Sequence, residues 1–205
     1  AFATLGGGLS HGTATTMATK LGEGGAARKE GKIVRTPLGK KGMWVNFFTG
    51  PAGAEKKLFV MSIPWGDIST AYTTTGIPDI ESYTGISRKA YYLLKGQFLF
   101  NWLLRTNFFR NYLKRKINKR PAGPSDEQRS NAISLLWGQA TNAAGKKITA
   151  RLSGPEGYTL TTLAALQIVQ KVLNGNFLPG YQTPAGAYGE NLVLEIQGVQ
   201  KEVIS

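Results

Sequence analysis

The chain has 205 residues, 41% of them apolar and 18% charged, a balance that suits one folded domain and excludes disorder. It has no cysteine and a single histidine, His11, which excludes disulfides, thiolate metal sites and cysteine nucleophiles and leaves no set at zinc-ligand spacing. Its formal net charge is +13, an excess of cations that asks for a physical cause.

In chain order, residues 11–21 read as a short helix with Ser10 as cap and Gly22 as stop. Gly6 and Gly8 do not form a dinucleotide fingerprint, because no strand is read ahead of them and His11 stands where the third glycine belongs. Gly22, Gly24 and Ala27 fit a looser Gly-x-Gly-x-x-Ala but follow a helix, so both glycine groups read as turns. Residues 32–35 and 43–47 alternate like strands around the turn Pro37-Leu38-Gly39, and 58–63 read as a buried strand. Asp67 is placed to cap a helix over 67–75, which Gly76 and Pro78 stop before an extended run over 77–86. A strand that ends in aromatics and hydroxyls suits a small polar substrate, with Trp65, Asp67, Tyr72 and Thr75 to orient it. The same residues can equally make a capped helix with local hydrogen bonds.

Residues 88–119 read as helical with a break near Thr106-Asn107, and 121–124 as a connector. Residues 132–141 and 147–152 face each other across Asn142-Ala143-Ala144-Gly145 as a hairpin. Residues 159–173 form an amphipathic helix with Leu160, Leu163, Leu166, Val169, Val172 and Leu173 on one face, closed by Gly175, and 192–196 read as the last strand. The sum is one α+β domain over 1–205. A mixed, largely antiparallel sheet packs against helices, with a basic, aromatic-rich helical insertion at about 88–120.

Three groups of residues resemble one family in the family's own order. The first is Gly7-Gly8-Leu9-Ser10-His11-Gly12-Thr13-Ala14-Thr15. The second is Trp65-Gly66-Asp67 with Ser69-Thr70-Ala71-Tyr72 and Thr75-Gly76-Ile77-Pro78. The third runs from Ala150-Arg151-Leu152 through Gly154-Pro155-Glu156-Gly157-Tyr158 to Gln182-Thr183-Pro184-Ala185-Gly186-Ala187-Tyr188-Gly189. They resemble the substrate-side domain of saccharopine dehydrogenase-like oxidoreductases. The resemblance implies a nucleotide-binding Rossmann domain followed by an α+β domain that covers NAD(P) and often forms a homodimer, and the lack of cysteine fits a cytoplasmic protein. That Rossmann domain is not in these residues, and the chain opens on Ala1-Phe2-Ala3 without an initiator methionine, so it is expected to be a C-terminal piece. Alone it is expected to bind no cofactor and to be inactive; the substrate is not identified by the resemblance.

The candidate substrate residues are His11, Thr13, Trp65, Asp67, Tyr72, Thr75, Arg151 and Tyr158. His11 is either a proton donor near the cofactor, as the resemblance implies, or a residue of a helix's first turn. A Ser10–His11 hydrolase pair is disfavoured, because sequence neighbours rarely converge on one substrate. Arg151 can pair with a carboxylate or phosphate, or be a plain strand charge. Tyr158 follows Gly157 at a helix entrance whose backbone N–H groups can hold an anion, or is a half-buried helix-start aromatic.

The charge is concentrated. Between Ser82 and Ser125 there are ten Lys or Arg and no acid, among them Arg105, Arg110, Lys114, Arg115, Lys116, Lys119 and Arg120. Aromatic and leucine residues fill the same segment. It could pack on the domain or a dimer partner, or lie peripherally on an anionic membrane surface or hold an acyl group. Nucleic acid is the least suited partner, because the aromatics follow helical apolar spacing rather than standing as base-stacking platforms. A non-catalytic membrane-surface or lipid-handling module is therefore the alternative to the oxidoreductase domain.

Overall fold

The computed structural model describes residues 1–8, 10–50 and 54–204; Leu9 of the glycine-rich motif lies outside them. In chain order the elements are β1 (Phe2–Leu5), α1 (His11–Thr19), β2 (Gly25–Lys29), β3 (Lys32–Thr36), β4 (Gly42–Gly50), β5 (Ala54–Ser62), α2 (Asp67–Thr75), β6 (Tyr83–Gly85), α3 (Arg88–Lys95), a 3-10 turn (Gly96–Phe100), α4 (Asn101–Leu104), α5 (Asn107–Asn118), α6 (Asp126–Asn131), β7 (Ile133–Thr141), β8 (Lys147–Pro155), α7 (Gly157–Leu173), α8 (Pro184–Tyr188), a second 3-10 turn (Leu192–Glu195) and β9 (Gln200–Ile204).

Seven strands form one sheet in the order β4-β5-β6-β1-β7-β8-β9. Strands β1 and β6 run parallel, and the other neighbours are antiparallel. The fold is α+β, with a mixed, largely antiparallel sheet, as the sequence leads one to expect. The sheet curls so that β4 packs across onto β7 and β8. The enclosed core is Ala3, Val45, Phe47, Val60, Tyr83 and Leu135. Phe47, Val60 and Leu135 are fully buried, each contributing roughly 1.5–3 kcal/mol of transfer free energy. Ala3 is small for a reason: a Cβ added at Gly85 on β6 would lie 2.8 Å from its own Cβ, so the two central strands meet only where both side chains are minimal.

Several expectations need correction. A strand does precede the glycine run: β1 has only four residues and gives too short an alternation to read. Strand β2 begins at Gly25, directly after the turn at Gly22 and Gly24, and pairs with β3 as a separate hairpin. Of the extended run over 77–86 only Tyr83–Gly85 is strand; Ile80 bridges Arg28 instead and ties the hairpin to the domain. Asp67 does not cap α2. Gly66 holds the cap position without a side-chain bond, and Asp67 is the first helical residue, where its charge still favours the helix N-terminus. Residues 192–195 form a 3-10 turn, and the last strand is β9.

The insertion breaks into α3, a 3-10 turn, α4 and α5, with Thr106 capping α5 through its side chain at the predicted break. Helix α7 has no buried residue, and its apolar face, with Leu166 at 57% and Leu173 at 79% exposure, does not lie against the sheet.

Candidate functional site

Register places the first site. Leu5 lies opposite Ile133, and Ile133 opposite Pro155. The chain leaving β1 into the glycine turn therefore emerges beside the chain leaving β8 into α7. Gly6 takes φ +76°, open to glycine without strain, and a Cβ at Gly7 would fall 2.6 Å from the Thr4 methyl. The turn then delivers Ser10 in extended conformation, capping α1 by accepting from the Thr13 N–H at 3.2 Å.

Tyr158, half-buried in the first turn of α7, reaches across to this cap. Its phenol oxygen accepts the Ser10 N–H at 2.9 Å and lies 3.1 Å from the Thr13 hydroxyl, which is itself 3.1 Å from the Ser10 hydroxyl. Burial and the Glu156 charge push the phenol up, but the hydrogen bonds from Ser10 and Thr13 outweigh them and hold it below the usual tyrosine range. Two hydroxyls and a helix-end amide thus favour the charged form of the phenol. His11 stands next to them but is committed elsewhere. Its Nε2 is 2.7 Å from the Arg120 carbonyl, so that nitrogen must donate, and its backbone N–H donates to Ala122. The imidazole anchors the end of the basic segment.

The entrance of α7 is not an open anion site. Glu156, 2% exposed, caps the helix, and its carboxylate accepts from the Tyr158 and Thr159 N–H groups at 2.9 and 3.1 Å. The anion expected there is supplied by the chain itself. The hydroxyl of Ser134, fully buried, has no hydrogen-bond partner among the described residues, and a Cβ at Gly157 would lie 3.4 Å from it.

The second group sits at the opposite end of β1. Strand β5 ends at Ser62 opposite Tyr83, and Thr84 lies opposite Phe2, so α2 follows on at the Phe2 end, away from Gly6. Trp65, Asp67 and Tyr72 are exposed there. Thr75 spends its hydroxyl locally, donating to Ala71 at 2.7 Å and accepting the Ile77 N–H at 3.2 Å. Thr74 instead makes the long-range contact, 2.6 Å to the Thr183 hydroxyl that caps α8. The Tyr72 ring covers the guanidinium of Arg28 at 4.1 Å. Arg28 is 7% exposed and donates to the carbonyls of Ile68 and Gly31, with no carboxylate on it among the described residues. Nothing in the sequence around it signals that role.

Arg151 joins neither group. It is 4% exposed, not a surface strand charge. It donates to Glu55 at 2.5 Å and to Glu202 at 2.7 Å, linking β5, β8 and β9 across the curl. Burial works against its charge, but the two carboxylates outweigh that and push the guanidinium above its usual value. A cleft of about 500 Å³ opens beside it between Trp44 and Trp137. The eight candidates therefore fall into three places. Only Thr13 and Tyr158 touch, with His11 beside them. Ser10 and Glu156 complete that cluster.

The seven basic residues of the insertion do not converge on one point. Arg105 donates twice to the Gly22 carbonyl, at 2.9 and 2.6 Å, and Arg110 pairs with Glu23 at 3.1 Å, while Arg115, Lys116, Lys119 and Arg120 are exposed and Lys114 is partly so. Among the described residues no cluster of three or more His, Asp or Glu could hold a metal ion, and no helix is long and apolar enough to cross a membrane. No protein-family model matches the chain, and no curated protein matches it.

Proposed function

We propose that this chain is the substrate-side domain of a saccharopine dehydrogenase-like, NAD(P)-dependent oxidoreductase, working with a nucleotide-binding domain that these residues do not include. The observation that carries the reading is α7. Its first turn holds the Tyr158 phenol in a hydroxyl cluster beside a glycine turn, and its apolar face is left uncovered. A nucleotide-binding body seated along that face would bring a nicotinamide toward the Ser10–Thr13–Tyr158 cluster. Tyr158 then exchanges a proton with the substrate while the cofactor supplies the hydride. Thr13 and Ser10 orient and stabilise the phenolate, Glu156 fixes the helix that carries it, and His11 holds the segment alongside. A homodimer in the cytoplasm belongs to the same reading.

The test begins with the native gene. A reading frame upstream of Ala1 that encodes a strand followed by Gly-x-Gly-x-x-Gly supports the proposal, and the intact product should oxidise or reduce a nicotinamide cofactor. Tyr158→Phe in that product should then lower kcat by 100-fold or so with little change in KM. A gene whose product starts at Ala1 sinks it.

A further inference from the structure

The surface of the helical insertion is not accounted for by the fold or by the oxidoreductase reading. Along α3, the 3-10 turn, α4 and α5, Leu93, Phe98, Leu99, Phe100, Trp102 and Phe108 stand 56–82% exposed. Six large apolar side chains this exposed within residues 93–108 are what a segment covered in use would show. Cations are interleaved with them rather than set apart. Lys116 Nζ lies 5.4 Å over the Tyr112 ring, and the Arg88 guanidinium lies 5.9 Å from the ring of Tyr92; all four residues are exposed. Of the ten Lys and Arg between Ser82 and Ser125, only Arg110 has an ion pair among the described residues.

We propose that this surface docks on the face of an anionic phospholipid bilayer. The rings and leucines enter the headgroup region, and the free cations lie over the lipid phosphates. Charge selects the occupant. A second copy would set one acid-free face against another, with no carboxylate in the segment to meet the cations. A nucleic acid supplies phosphates but no apolar bed for Leu93, Leu99 and Phe108. The uncovered stripe of α7 is different in kind: residues 157–173 contain one lysine and no acid, which suits a protein body. Binding is peripheral, in keeping with the short, broken helices of the segment.

The experiment floats the full chain with phosphatidylcholine vesicles, with and without phosphatidylglycerol, at low and high salt. It needs no cofactor and is independent of the proposed activity. The expected result is flotation with the anionic vesicles alone, lost at high salt. Lipids brominated in their chains should quench Trp102, and the quenching should vanish in Trp102→Phe although Trp44, Trp65 and Trp137 remain. Replacing Arg115, Lys116 and Lys119 together by Gln should weaken binding on the order of 100-fold. Phe98→Ser with Phe108→Ser keeps the net charge and should also weaken it, which separates insertion from attraction alone. All these side chains are exposed, and an unchanged melting curve checks that each variant folds. The proposal is overturned by absence of flotation with anionic vesicles, by flotation that the double Phe variant leaves intact, or by a lipid-free dimer that the same variant dissolves.

Discussion

The Tyr158 phenol is the acceptor for an amide that no helix bond can satisfy, since Ser10 is a cap. Tyr158→Phe should therefore cost about 1 kcal/mol in urea unfolding, the order expected for one hydrogen bond. Its titration should also be visible: in an alkaline difference spectrum Tyr158, and Tyr92 beside the Arg88 guanidinium, should ionise ahead of the other tyrosines, and Tyr158→Phe should remove one of these two early components. Glu81 gives the acid side. Burial pushes its carboxyl up, but hydrogen bonds from Lys41 at 2.7 Å and Tyr83 at 2.6 Å, with the charges of Lys41 and Lys29, hold it below its ordinary 4.5. The unfolded chain then binds the proton more readily than the folded one. The stabilisation is complete above about 4.5 and fades as pH falls through the lower folded value. Wild type and Glu81→Gln should differ in melting temperature at neutral pH and converge in strong acid.

At the scale of elements, strands and helices draw stability from different places. Phe47 on β4 is sealed inside the curl, so Phe47→Ala should cost about 3–5 kcal/mol. Gly85→Ala drives a methyl against Ala3 at 2.8 Å between two central strands and should cost about 1–3 kcal/mol. Leu166→Ser on the open face of α7 should shift the isolated chain by no more than about 0.5 kcal/mol. Urea denaturation of the three variants tests the ranking, and a large loss for Leu166→Ser would show that the face is covered in the free chain. The helices, and the long β7–β8 hairpin, were readable in the sequence because their signals are local. Asp67 to Thr75 is bounded by glycines, and Thr106 caps α5 where the pattern breaks. Strands β1 and β6 are too short to alternate and exist only because distant partners complete them. The apolar periodicity of α7 identified the right helix but could not say that its face stays open, since a pattern records that a face is apolar and not what meets it.

For the whole molecule, the same limit explains the site. His11, Thr13 and Tyr158 could be named from sequence, but their company could not, because it depends on Leu5, Ile133 and Pro155 standing in line across three strands. Arg151 looked like a free cation because both of its carboxylates lie far off in the chain, at Glu55 and Glu202. The position of β1 has a consequence in time. Residues 2–5 form a central strand whose neighbours are Thr84 on one side and the segment around Leu136 on the other. As the chain leaves the ribosome, β6 can cover one edge of this strand once residue 85 is made, but the other edge waits unpaired until β7 arrives, and the centre of the sheet cannot close before then. Folding should therefore be slow and late, and a chain stopped before residue 133 should collect as an aggregating, protease-sensitive species rather than as a half-built domain.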